Sequence, residues 1–266
     1  MEQLEVVVLG TGTSAGIPVV ACDCAVCTSD DPANKRLRAS IWLRSSSTSL
    51  LVDCGSDFRE QALRHGIKRL DAVLFTHAHS DHVNGMDELR QFNWIQHARI
   101  PCWASPITWG NIRQRFEYMF NPMQRGGGVP ELDLHTVDVR EFTAAGHRVL
   151  PVEVMHGLLP VNGFRIGDFA YVTDASSVPP EAIRRLKGVK TLILNALRRR
   201  PHPTHLSIDE AVAVADEIGA ERVWFTHMTH DLEHHETSAK LPPHIRLGYD
   251  GLTFSINPAA PMPEVE

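Results

Sequence analysis

The chain has 266 residues, 43% hydrophobic and 22% charged, with 18 glycines and 17 prolines, a composition that excludes disorder, collagen-like repeats and coiled coil. Lys plus Arg total 26 against 32 Asp plus Glu, a formal charge of −6. That is a poor footprint for a nucleic-acid binder, while a small anionic ligand stays open because a bound cation reverses the local field.

Residues 5–10 (EVVVLG) form a β-branched run ending in Gly-Thr-Gly-Thr, which predicts a buried strand feeding a tight turn. Residues 39–43 and 49–53 predict a hairpin around the polar segment 45–48, and 56–65 a helix stopped by Gly66. A buried strand is predicted over 71–75, then a histidine-rich loop and a helix over 83–95. Residues 105–120 predict a helix carrying Trp109, Phe116 and Phe120, followed by a turn at Gly126, Gly127 and Gly128. Strands are predicted over 132–137, 148–155, 163–166 and 169–173, a helix over 180–186 and a strand over 191–194. Ser207 caps a predicted helix running to Ile218, with Asp209 and Glu210 in the first turn, where the helix dipole favours anions. The last strands are predicted over 222–225 and 252–256. No linker divides the chain, so a single domain over 1–266 is predicted, with a frayed Pro-rich tail at 258–266. Strands and helices in both halves predict two packed sheets with helices outside, a four-layer arrangement of the α/β (α+β) class. No run reaches the 18 apolar residues of a membrane span, and the acidic start Met1-Glu2-Gln3-Leu4-Glu5 lacks the basic region of a signal peptide. A cytoplasmic protein is predicted.

Fifteen histidines and an odd five cysteines, three of them within six residues, stand out. Such cysteines predict free thiols in a reducing compartment rather than a disulfide framework. The segment His77-Ala78-His79-Ser80-Asp81-His82 follows the strand at 71–75 directly. His77 and His79, two apart, point to one side of an extended strand end and can hold one ion. Asp81 and His82 stand at the start of the next helix, where the turn aims them at a second ion. His156, Asp174 and His227 end other predicted strands, the last in a Phe-Thr-His context that repeats Phe75-Thr76-His77. Together these five histidines and two aspartates suit two first-row divalent ions. Cys22-x-Cys24-x-x-Cys27 places three thiols within reach of one soft ion, and tetrahedral zinc needs a fourth ligand. Cys54 and Cys102 read as small buried hydrophobes. Asp53 either fixes a histidine tautomer or caps its strand. Arg198, Arg199 and Arg200 either grip a substrate phosphate or form a solvated face. Trp94, Trp109 and the 126–128 glycines are candidate pocket walls.

This order of residues resembles the metallo-β-lactamase superfamily, marked by an H-x-H-x-D-H loop followed by a distant His, Asp and His. The likeness runs from Gly10 to about Gly251. Within it, Gly10-Thr11-Gly12-Thr13, the cysteine loop, His202-Pro203-Thr204-His205 and Thr226-His227-Met228-Thr229-His230-Asp231 resemble the PhnP-type phosphodiesterases. The resemblance implies an αββα sandwich with His77, His79 and His156 on one catalytic ion, Asp81, His82 and His227 on the other, and Asp174 bridging. Manganese or zinc would fill that pair. His230 would complete a structural zinc site with Cys22, Cys24 and Cys27, in a loop at about 20–30. His205 is implied as general acid, and Asp81 as a ligand that also orients the attacking water.

The implied reaction is hydrolysis of a small cyclic phosphodiester, such as 5-phosphoribosyl 1,2-cyclic phosphate, by a hydroxide bridging two metals. A tRNA 3′-processing nuclease of the same superfamily is the first rival, disfavoured by the charge of −6. A cofactor-maturation protein resembling PqqB is the second, whose ligand set is usually less complete. Outside the superfamily stands a non-catalytic metal-binding module. The expected partner is a small anionic phosphodiester, with neither membrane nor nucleic acid, and with room for a homodimer.

Overall fold

The fold is described from a computed structural model over residues 3–121 and 128–263. Two seven-stranded sheets form it. In the first, β1 (Leu4–Gly10), β2 (Ser40–Arg44), β3 (Ser49–Val52), β4 (Ala72–Leu74), β5 (Ile100–Ala104) and β6 (Leu132–Thr136) lie side by side in chain order. The second holds β7 (Phe142–Ala144), β8 (His147–His156), β9 (Leu159–Ile166), β10 (Phe169–Val172), β11 (Thr191–Asn195), β12 (Arg222–Thr226) and β13 (Ile245–Leu247), again in chain order. The late strand β14 (Thr253–Ile256) returns to pair antiparallel with β1. The helices are α1 (Phe58–His65), α2 (Ser80–Val83), α3 (Leu89–Gln96), α4 (Pro106–Arg115), α5 (Glu117–Phe120), α6 (Pro180–Leu186), α7 (Ile208–Ile218) and α8 (His234–Ser238).

Strands β3 to β6 and β10 to β13 pair in parallel, which requires cover on both faces. The sequence supplies it: β3, β4, β10 and β11 are buried at every position. Between the sheets, Val6, Val8, Ile41, Leu43 and Leu74 meet Phe164, Tyr171 and Ile193. Outside the first sheet, Phe58, Leu89, Phe92, Trp109 and Ile112 pack from α1, α3 and α4. Outside the second, Ala182, Ile183 and Leu186 of α6 join Ala211, Ala215 and Ile218 of α7. The result is the four-layer αββα sandwich. Local signals hold where they were strongest. Gly66 ends α1 in the left-handed conformation, and Ser207 and Glu210 form a reciprocal capping box on α7.

Several elements differ from their predicted bounds. The helix predicted over 83–95 is broken into α2, a 3-10 turn at Met86–Glu88 and α3. The cause is tertiary: Gly85 donates its N–H to Cys54, and a Cβ there would lie 2.2 Å from the Gly55 carbonyl. The helix predicted over 105–120 splits at Phe116, whose φ of −112° and ψ of 41° leave the helical region. Strands β5, β7 and β13 and helix α8, each five residues or fewer, are too short to show a period. The tail is pinned rather than frayed as far as Pro261, whose carbonyl accepts from Arg165. Gly126 and Gly127 of the predicted turn lie outside the described residues. No helix among the described residues is long and apolar enough to cross a membrane.

Candidate metal centre

The chemistry-bearing side chains collect at one rim, where strands end. Asp53 follows β3, His77 stands three residues past β4, His156 ends β8, Asp174 lies two past β10 and His227 follows β12. Asp53, Asp174 and His227 hold φ of 63°, 59° and 56°, a left-handed conformation that non-glycine residues seldom adopt and that gathers at functional sites. The turn at Asp174 is held by Asn195, wholly buried, whose side chain bonds both the N–H and the carbonyl of Ala175.

His82 Nε2 lies 3.3 Å from Asp81 Oδ2 and 3.2 Å from Asp174 Oδ2. His227 Nε2 lies 3.3 Å from Asp81 Oδ2 and 3.2 Å from Asp174 Oδ1. On the other side His77, His79 and His156 bring one ring nitrogen each within 4.8 Å of one another, and Asp174 reaches the same spacing with His77 and His82. Asp174 therefore stands between two trios. A tetrahedral ion bonded at about 2.0–2.2 Å spaces its ligand atoms roughly 3.3–3.5 Å apart, close to what Asp81, His82, His227 and Asp174 show. His77 Nε2 is buried with no hydrogen-bond partner, as a ligating nitrogen would be before its ion arrives.

The electrostatics agree. Burial drives His77 well below the usual imidazole range, with His82 adding to it, so its nitrogen is free to ligate. Burial also opposes charge on His82, yet Asp174, Asp53 and Asp81 outweigh it and hold the ring well above its ordinary value. Asp174 stays well below the carboxylate range against its own burial, because His227 and His82 face it. So concentrated a buried negative field must be balanced by protons or by a multivalent cation.

Bonds behind the rim orient the rings. Asp53 accepts from His82 Nδ1 at 2.7 Å and from the Thr76 N–H and hydroxyl at 2.9 and 2.8 Å. That places the His82 proton on Nδ1 and turns Nε2 toward Asp81 and Asp174, so Asp53 does the tautomer-fixing that was one of its two readings. His156 Nδ1 donates to the Thr204 carbonyl at 2.6 Å. Gly55 permits the close docking of α2, since a Cβ there would lie 1.9 Å from the Asp81 carbonyl. Gly55→Ala is expected to cost about 1–3 kcal/mol by overpacking and to disturb Asp81 and His82. Urea unfolding with elemental analysis of bound metal checks it, and unchanged values for both would refute it.

His205 is packed among the same groups, its ring 4.6 Å from His156 and 4.8 Å from His227, with Nδ1 3.7 Å from Asp174 Oδ1. Burial, helped by His227, pushes it down to about 3, so the ring is neutral in the resting site. Of the arginine run, Arg198 donates to the Arg200 and Pro201 carbonyls, Arg199 to Thr237 Oγ1, and Arg200 lies 3.8 Å from Asp231. Trp109 is buried and donates to the His135 carbonyl; it is core rather than pocket wall, whereas Trp94 is exposed.

A second cluster stands nearby. The Sγ atoms of Cys22, Cys24 and Cys27 lie 3.2, 3.5 and 3.3 Å from His230 Nδ1. An ion bonded at about 2.3 Å to sulfur and 2.0–2.1 Å to nitrogen would space them about 3.5 Å apart. The Cys27 N–H brings the Cys24 thiol down to about 7, while burial pushes Cys27 up to about 11. Arg36, 1% exposed, clamps the loop behind His230 by donating to the Thr229 and Leu232 carbonyls. Cys54 and Cys102 are buried, as expected of small hydrophobes.

Residues 48–228 match the beta-lactamase superfamily domain. The chain belongs to that superfamily. Within the superfamily it is PhnP-like: the crystal structure of a diphosphatase from the PhnP family superimposes with a TM-score of 0.90 at 40% identity, over 96% of this chain and 98% of that one. An octanoyltransferase of Porphyromonas gingivalis is 40% identical over 257 residues, 94% of this chain but 51% of that protein, so the chain spans about half the length of this relative. A ribonuclease Z of Mycobacterium bovis is 26% identical, over 84% of this chain and 85% of that protein.

Proposed function

We propose that the whole chain serves as one metal-dependent phosphodiesterase domain acting on small phosphodiesters, with 5-phosphoribosyl 1,2-cyclic phosphate as the leading candidate. The observation that carries this reading is the pair of trios sharing Asp174. His77, His79 and His156 would hold one divalent ion, Asp81, His82 and His227 the other, and Asp174 both. When bound, two such ions supply an acidified water and positive charge for the phosphoryl oxygens. Cys22, Cys24, Cys27 and His230 would hold a structural zinc. All five cysteines are free thiols, which supports a reducing, cytoplasmic compartment.

The chain's own residues do the rest. Asp53 and the Thr204 carbonyl keep His82 and His156 turned inward, and the free face of Asp81 orients the attacking water. His205 protonates the leaving oxygen. Neutral at rest, it would take up the proton that the attacking water releases and pass it to the leaving oxygen. His205→Ala is expected to slow an alkoxide leaving group by about 100-fold or more, and p-nitrophenolate far less, since that group needs no proton. Equal losses with both leaving groups would remove His205 from this role.

The deciding experiment incubates purified protein with Mn²⁺ or Zn²⁺ and either bis-p-nitrophenyl phosphate or the cyclic phosphate. No turnover with any metal would overturn the reading. A second reading, cleavage of a phosphoanhydride, is favoured by the 40% identical diphosphatase, and a pyrophosphate-linked nucleotide belongs in the same panel. RNA cleavage has the ribonuclease Z similarity behind it and the charge of −6 against it.

A further inference from the structure

The histidine loop is held from outside by an arginine that none of the roles above uses. Arg115, the last residue of α4, donates from its guanidinium to the Ala78 carbonyl at 2.7 Å. That carbonyl belongs to the peptide leading into His79, the exposed member of its trio, so the charge stands beside the histidine loop. A guanidinium carries five N–H donors in a planar fork, and this bond uses one. Arg115 forms no ion pair among the described residues, whereas Arg38 is neutralised by Asp57 and Arg200 stands near Asp231.

Its placement is built rather than incidental. The helix stops at Arg115 because Phe116 leaves the helical region. Phe116 and Met119 then pack in the same buried cluster as Ala78, which fixes the base of the arginine against the histidine loop. The arginine run at 198–200 is engaged with its own loop, with Thr237 and near Asp231. A guanidinium beside the histidine loop, with no ion pair among the described residues and in a chain of net charge −6, is suited to bidentate capture of an oxyanion.

We propose that Arg115 anchors the substrate by gripping a second anionic group, a phosphate set apart from the scissile phosphorus. The preferred substrates are then small phosphodiesters or phosphoanhydrides that carry an additional phosphate. This rests on the phosphodiesterase reading, and the test separates the two.

Arg115→Met and Arg115→Lys are compared with the unsubstituted protein on 5-phosphoribosyl 1,2-cyclic phosphate and on ribose 1,2-cyclic phosphate, which lacks the 5-phosphate. For Arg115→Met the ratio of kcat/KM between the two substrates is expected to fall about 10- to 100-fold, carried by KM, as a lost charge-assisted contact gives. Arg115→Lys should recover part of that ratio, and bound metal by elemental analysis should not change. An unchanged ratio, with or without loss of metal, overturns the proposal and leaves Arg115 as a support for the loop. If the unsubstituted protein hydrolyses neither compound, the phosphodiesterase reading fails by itself. Calorimetric titration with inorganic pyrophosphate then decides the anion site: binding at least about tenfold weaker in Arg115→Met supports it, and equal binding overturns it.

Discussion

Asp174→Ala is expected to leave the protein with fewer than two catalytic ions per chain and to cut hydrolysis by about a thousandfold or more. Losing a group that only orients a ligand typically costs 10- to 100-fold, and Asp174 faces both trios directly. Its two oxygens lie 3.2 Å from His227 Nε2 and 3.2 Å from His82 Nε2 in one trio, and it comes within 4.8 Å of a ring nitrogen of His77 in the other, so a single truncation would strip a ligand from each ion. Asp174→Asn is the necessary companion. Asparagine tolerates the left-handed backbone almost as well as aspartate, so this variant keeps the turn and removes the charge. Elemental analysis beside steady-state rates reads both, and two ions retained in full would contradict the bridging assignment.

Cys24→Ala is expected to lose one zinc per chain and to lower the unfolding free energy by about 4 kcal/mol, the effect of losing a ligand present at a thousand times its dissociation constant. Activity should survive in part. The segment between the two clusters is held independently of the thiols, since Met228 donates to the Thr11 carbonyl and accepts from Thr13, while Arg36 grips the carbonyls of Thr229 and Leu232. Denaturant titration, zinc content and rate are measured on one preparation. Activity lost at unchanged zinc content would rule out a structural ion at these thiols.

The sequence made the histidine loop legible because its ligand types are rare and its spacing is local: the two-position step from His77 to His79 suffices to predict a shared side. His156, Asp174 and His227 were visible as polar residues ending apolar strands, and the structure brings all of them to one rim. What stayed hidden acts through backbone. Thr204 holds His156, and Ala78 receives Arg115, through carbonyls that every residue possesses. Asn195, which supports the Asp174 turn from a neighbouring strand, gave no local sign of that contact. The break in the helix predicted over 83–95 was hidden for a related reason. The pattern there is helical, and only the approach of Gly85 to Gly55, thirty residues earlier, forbids it.

The bond from His156 to the Thr204 carbonyl also has a bearing on protein engineering. The β8–β9 hairpin and the 202–205 loop come from distant parts of the chain, yet a Cβ on Gly157 would meet the Thr204 methyl at 3.2 Å. They pack as one piece. A chimera that imports either segment alone from another member of the superfamily would misaim His156, whereas transplanting both together would preserve the seat and allow the surrounding walls to be redesigned.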